Sequence, residues 1–200
     1  MAEPAENPLV IFFDPRCAEY GSRGHPEQPA RATATAAHLR AARPAWSWAG
    51  VPESVPDETL LLAHTPGHLA RLSEPQDFDP DTAYFPNIGA RARGAVAAAL
   101  AASQHAMTRH SPAFSLMRPP GHHATADTAM GFCYLNQIAI TALAARKTLE
   151  NYPLLPSARG ELLRRLGRTE EAKGAYAKAV ALSRLDPERR FYARRLAELE

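Results

Sequence analysis

Residues 113–123 read AFSLMRPPGHH, and the reading of this stretch decides the fold. Ala113 to Met117 is a short apolar run of strand length, expected to be a buried strand. It ends abruptly at Arg118-Pro119-Pro120-Gly121, where two prolines fix φ and Gly121 permits a close approach to a ligand. His122 and His123 follow at once. Two arbitrary adjacent histidines are more often surface or capping residues. Here a stiff turn at the carboxyl end of a strand presents them, which is where ligands bind in α/β folds.

Working outward, Leu9 to Phe13 is a second continuous apolar run that stops at Asp14-Pro15, and it reads as a strand buried on both faces. Trp46 to Val51 fits a third short strand. Between and around these lie helical stretches: Ala-rich Pro29 to Ala42, then Pro66 to about Leu72, with Thr65 as N-cap and Pro66 at the first helical position. A long Ala-rich helix is expected over Gly89–Thr108, and another from Gln137 to about Glu150 with Asn136 as N-cap. Cys17 to Gly24 and Ser73 to Pro86 read as loops. The second holds Pro75, Pro80 and Pro86 with Asp77, Asp79 and Asp81, and loops of that length are often functional. Strands alternating with helices predict a three-layer α/β/α fold on a parallel sheet. At Asn151–Pro156 the character changes. Two prolines mark a linker, and the rest is helical and rich in Arg, Glu, Leu and Ala.

Composition narrows the classes. Hydrophobic residues make up 46% of 200 and charged residues 22%, as in a globular protein. A formal charge of +2 gives no reason to expect a nucleic-acid partner. Two cysteines, Cys17 and Cys133, make neither a disulfide framework nor a Cys-rich metal site. No run is apolar and long enough for a membrane span, and the N-terminus does not read as a signal peptide, so a cytoplasmic location is expected.

RPPGHHA (118–124) followed by GFCYLN (131–136) resembles the active-site strand and loop of histone deacetylases, acetoin-utilisation proteins and acetylpolyamine amidohydrolases. HPEQPAR (25–31) resembles that family's His-Pro-Glu-Arg-Pro segment, with Gln28 for the usual Arg. LLLAHTPGHLARL (60–72) resembles its helix start, with His68 for a Tyr, and DPDTAYF (79–85) its acidic loop with one residue inserted. The resemblance implies an arginase/deacetylase-like fold and roles for particular residues. His122 and His123 would act as general base and acid on a zinc-bound water. Phe132 would line a narrow acyl-lysine tunnel with Gly131 beside it. Asp79 or Asp81 would hold the substrate backbone, and Arg118 would be structural. The implied substrate is an acetylated amine or acetyl-lysine.

The family's chemistry uses a catalytic zinc with three protein ligands and an open position. The resemblance implies an Asp-x-His pair and a further Asp as ligands, and a later Tyr. No Asp-x-His occurs in the sequence, no histidine follows His123, and the only aspartate beyond Asp127 is Asp186. His64 and His68 are not expected to share a helical face, because Pro66 starts a helix between them. The expectation is therefore a truncated deacetylase-like domain over residues 1–150, with no bound zinc and impaired turnover. General acid–base help is worth only about 10²–10⁴-fold. Over 153–200 the sequence resembles the TPR-like tail of extracytoplasmic-function sigma factors, which suggests a gene fusion with linker 151–156 and helical tail 157–200. Beside that stands a charged helical hairpin whose apolar stripe (Leu162, Leu163, Leu166, Tyr176, Val180) packs on the main domain or on a protein partner. An open sheet edge after residue 150 would offer another route to self-association.

Overall fold

The computed structural model describes residues 9–53, 55–146 and 148–199. The N-terminal residues read for a signal peptide, and Lys147 within the last expected helix of the α/β part, lie outside these. The chain divides into two compact units, Met1–Ala145 and Arg146–Glu200.

The first unit is built on a parallel sheet of three strands: β1 (Val10–Phe12), β2 (Ser47–Ala49) and β3 (Ala113–Ser115), in the order β2-β1-β3. Register sets Ile11 beside Trp48 and Phe114. Alternation along β1 feeds two cores, since successive side chains leave opposite faces. Ile11, fully buried, packs with Ala36 and Leu39 of α1 (Ala30–Ala42) and with Leu116. Phe12 packs with Ala98 and Ala102 of α4 (Ile88–Arg109). The small residues of α4 let its backbone lie close to the strands. A 3-10 turn, Pro15–Ala18, occupies the start of the stretch expected to be loop, with the Asp14 carboxylate accepting from the Arg16 N–H at 2.9 Å. Two short helices, α2 (Asp57–Leu60) and α3 (Pro66–Arg71), precede α4, and α5 (Gln137–Ala145) packs on it. A larger core joins them through Leu60, Leu69, Ile88, Val96, Leu135 and Ile140. No helix among the described residues is long and apolar enough to cross a membrane.

The burial expected of β3 is not met. β3 is not buried on both faces, because Phe114 is 49% exposed. Phe114 lies beside Ile11, on the face that α1 covers over β1, and no described helix reaches over it at this edge of the sheet.

The second unit comprises α6 (Leu154–Arg165), α7 (Thr169–Leu182) and α8 (Asp186–Ala197), with α7 packed on both of the others. Leu154 to Pro156, expected as linker, form the first turn of α6. Pro156 is tolerated there because N–H groups of a first turn have no helical acceptor. Gly160 lets the Tyr176 ring lie against α6, since a Cβ there would sit 3.1 Å from the ring, and the Tyr176 hydroxyl donates to Glu161 at 3.0 Å. The expected stripe splits: Leu163 and Tyr176 are buried, whereas Leu162 and Leu166 are exposed.

Ile11 is the pivot of the first unit. Ile11→Ala is expected to cost about 2–5 kcal/mol, read as a lower urea midpoint with an unchanged slope.

Candidate active site

The site begins where β3 ends. Arg118 is buried and its side chain is satisfied throughout. Nε and Nη2 donate to the Glu27 carboxylate at 2.7 and 2.6 Å, and Nη1 donates to the carbonyls of Cys17 and Tyr20 at 3.0 and 3.1 Å. Its guanidinium also lies over the Tyr20 ring, 4.2 Å from the centroid. Burying a charge is tolerable only with this degree of pairing. The arrangement ties the end of β3 to the segment holding Glu27, and Arg118 has the structural place expected of it. Burial first, and then the Glu27 carboxylate, push the Tyr20 phenol far above its ordinary range.

At Gly121 the space left by the missing side chain is taken by the protein itself. A Cβ there would lie 2.4 Å from Gln137 Cγ and 2.8 Å from the Leu135 carbonyl oxygen, so the missing side chain makes room for the start of α5. The Ile138 N–H donates to the Gly121 carbonyl at 3.1 Å, and Asn136 caps α5 through its Oδ1, which accepts from the Ala139 N–H at 3.0 Å.

His122 and His123 stand side by side, with ring centroids 4.2 Å apart, and both are exposed. Among the described residues no enclosed tunnel has them at its base. The His122 N–H points at Cys133 Sγ, 3.4 Å away. Gly131 sits against His123, where a Cβ would come within 3.0 Å of the ring, and its φ of +56° is glycine territory. Phe132 takes a φ of +67°, which a bulky residue rarely adopts. Its N–H is held by Thr82 Oγ1 at 3.1 Å, and its ring meets the edge of His25, centroids 4.8 Å apart. The expected neighbours His123, Gly131 and Phe132 are thus brought together.

The acidic loop reaches the same place. Asp79 Oδ1 accepts from the Asp81 N–H at 2.9 Å, and the Asp81 carbonyl lies 3.2 Å from His25 Nε2. Asp79 is half-buried, while the Asp81 carboxylate is exposed and accepts no hydrogen bond from the described residues. Arg71 holds the loop from outside, donating to the carbonyls of Gln76 and Asp77 at 2.9 Å each. A small cavity of about 10 Å³ opens between His25, Asp81, Phe132 and Tyr134. Thr82 and His25 carry this convergence and were not singled out from the sequence. The only signal was their presence inside the DPDTAYF and HPEQPAR blocks.

His64 lies outside α3, so it and His68 share no helical face, yet the two rings meet. Both are buried, and their rings stack with centroids 4.6 Å apart and 23° between planes. Thr65 caps α3 by accepting the His68 N–H at 3.2 Å. The residue just before a cap packs naturally on the first turn, so His64 folds onto His68 without sharing the helix. Among the described residues no three of His, Cys, Asp or Glu converge as a metal site.

Three parallel strands between helices, with a histidine pair just past a strand end, define the arginase/deacetylase class. The histone deacetylase domain model matches residues 25–152, so the chain belongs to the histone deacetylase family. It is 34% identical over 151 residues to a probable deacetylase of Methanothermobacter thermautotrophicus, covering 70% of this chain and 44% of that protein. It is 38% identical over 113 residues to the acetylpolyamine amidohydrolase of Burkholderia pseudomallei, covering 50% of this chain and 30% of that one. The crystal structure of the HDA15 HD domain superposes with a TM-score of 0.65 at 28% identity, covering 71% of this chain and 44% of that structure. The chain thus spans less than half the length of these relatives.

Glu27→Ala is expected to cost about 3–5 kcal/mol, because it strands the buried Arg118 charge. Urea unfolding of the two proteins checks it.

Proposed function

We propose that this chain carries the acid–base and substrate-holding half of a deacetylase site, and that by itself it hydrolyses acetylated amines little or not at all. The observation that carries the first part is the cluster of His122, His123, Gly131 and Phe132, with Asp81 alongside. Adjacent imidazoles can accept and return a proton. The Phe132 ring offers a flat apolar wall for an alkyl chain, and the exposed Asp81 carboxylate, like the half-buried Asp79, can accept from a substrate N–H. An acetylated lysine or polyamine, which pairs an aliphatic stem with an amide, fits those contacts.

The second part rests on the residues present, which do not fit a catalytic zinc. The described residues offer no set of three ligands, and the sequence has no Asp-x-His. Proton transfer alone supplies about 10²–10⁴-fold, whereas enzymes reach about 10⁶-fold or more. The helical second unit, which resembles a TPR-like tail, and the edge of β3 favour a second reading, a protein-binding role. Phe114 is an apolar side chain left half open beside a strand edge.

Hydrolysis of an acetyl-lysine peptide and of an acetylpolyamine separates these readings, measured with added zinc, with chelator, and with His122→Ala. The expected result is no turnover above buffer. Zinc-dependent turnover lost in His122→Ala would overturn the proposed impairment. For the second reading, light scattering at tens of micromolar is expected to show self-association that Phe114→Lys abolishes. A strict monomer would count against self-association.

A further inference from the structure

His64 and His68 touch neither His122 nor His123, and nothing above gives them a part in catalysis. They nevertheless hold the loop on which the site is built. The Asn136 N–H donates to His64 Nε2 at 2.9 Å, which fixes that nitrogen as unprotonated. The proton then sits on His64 Nδ1, which faces the Ala126 carbonyl at 3.3 Å. His68 Nε2 lies 2.8 Å from the Tyr134 carbonyl and can only donate to it, so the neutral ring carries its lone pair on Nδ1. That nitrogen is buried and has no partner. The Thr65 N–H adds a bond to the Ala126 carbonyl at 2.9 Å. The two imidazoles therefore grip the 124–136 segment near both ends, and Gly131 and Phe132 lie between the gripped points.

We infer that His64 and His68 are positioning residues that form a neutral-imidazole clamp on the 124–136 loop, and that protonation of His64 opens it. A proton on His64 Nε2 would oppose the Asn136 N–H donor to donor. A proton on His68 Nδ1 would be a buried donor without an acceptor. Two imidazolium rings stacked at this distance would also repel. The groups packed around the pair offer little relief. Thr125, Ala126 and Tyr134 present carbonyls already described or weak in effect, and the neighbouring Leu60 and Leu69 are apolar. The charged group that faces the pair is Asp127, which senses His68, but its carboxylate is exposed and already accepts from the Thr125 and Thr128 hydroxyls at 3.0 and 3.1 Å.

Burial, and then the neighbouring His68, hold the His64 imidazole below its ordinary value of 6.5. The open loop thus takes up a proton more readily than the closed one. Closure is fully favoured above about pH 6.5 and weakens as the pH falls through that value, up to about tenfold per pH unit as His64 takes up its proton.

The inference concerns the loop of the proposed site, yet its test needs no turnover, so its failure is distinct from failure of the functional reading. Amide hydrogen exchange on the full chain, corrected for intrinsic rates, compares Asn136 with Val96 in the middle of α4. Asn136 protection is expected to fall up to about tenfold per pH unit below pH 6.5, while Val96 holds. In the double variant His64→Gln, His68→Gln the amides can keep the donor and acceptor roles without titrating, and Asn136 is expected to lose its pH dependence. A flat wild-type profile, or a fall shared equally by Val96, overturns the clamp. So does an unchanged fall in the glutamine variant. If that variant does not fold, the wild-type comparison of the two amides decides alone.

Discussion

The buried pair between Arg118 and Glu27 is the constraint on which the first unit depends. Arg118 ends the last strand before the histidines, and Glu27 sits some ninety residues earlier in a loop with no secondary structure of its own. Hydrogen bonds from one guanidinium reach that carboxylate and two carbonyls of the segment around the 3-10 turn. The geometry of the histidine loop is therefore inherited from a strand on one side and from this charged contact on the other. Apolar packing alone would hold the strand but would leave the direction of the turn after it less well defined. The pair's contribution is thus as much to geometry as to stability.

Around that anchor, the site is assembled by short-range polar contacts. Thr82 holds a phenylalanine in a backbone conformation it would otherwise avoid. His25 ties the acidic loop to the same ring. The stacked histidines hold the far side of the loop. Each contact joins segments from different parts of the chain, so the chemistry-bearing residues need no single element to carry them.

Much of the fold was legible in the sequence because periodicity and punctuation agreed. The apolar runs at 9–13 and 113–117 became strands, Thr65-Pro66 started a helix, and the Ala-rich stretch became the long α4. Legibility failed where a side chain's surroundings come from elsewhere in the chain. The composition of Ala113 to Met117 reports strand propensity but not whether a helix will cover Phe114. Gly121 looked like room for a ligand, yet the space is taken by Gln137. His64 and His68 lay beyond helical-face reasoning, because the residue before a cap is placed by the chain's entry into the helix and not by helical periodicity. The site was legible as a histidine pair with its following Gly-Phe, and this came from the motif. Thr82 and His25 stayed hidden because their contacts join segments far apart in sequence.

The order of the strands has a consequence for how this unit comes into being. β1 is central, yet its partners lie at 47–49 and 113–115. During synthesis β1 must wait for more than a hundred residues before its second edge is covered. Pairings of such separation close slowly, because the entropy of a long loop is lost before the contact repays it. Until Ser115 has emerged, β1 would present an unpaired apolar edge, so the most buried of the described strands is also the one exposed longest during synthesis.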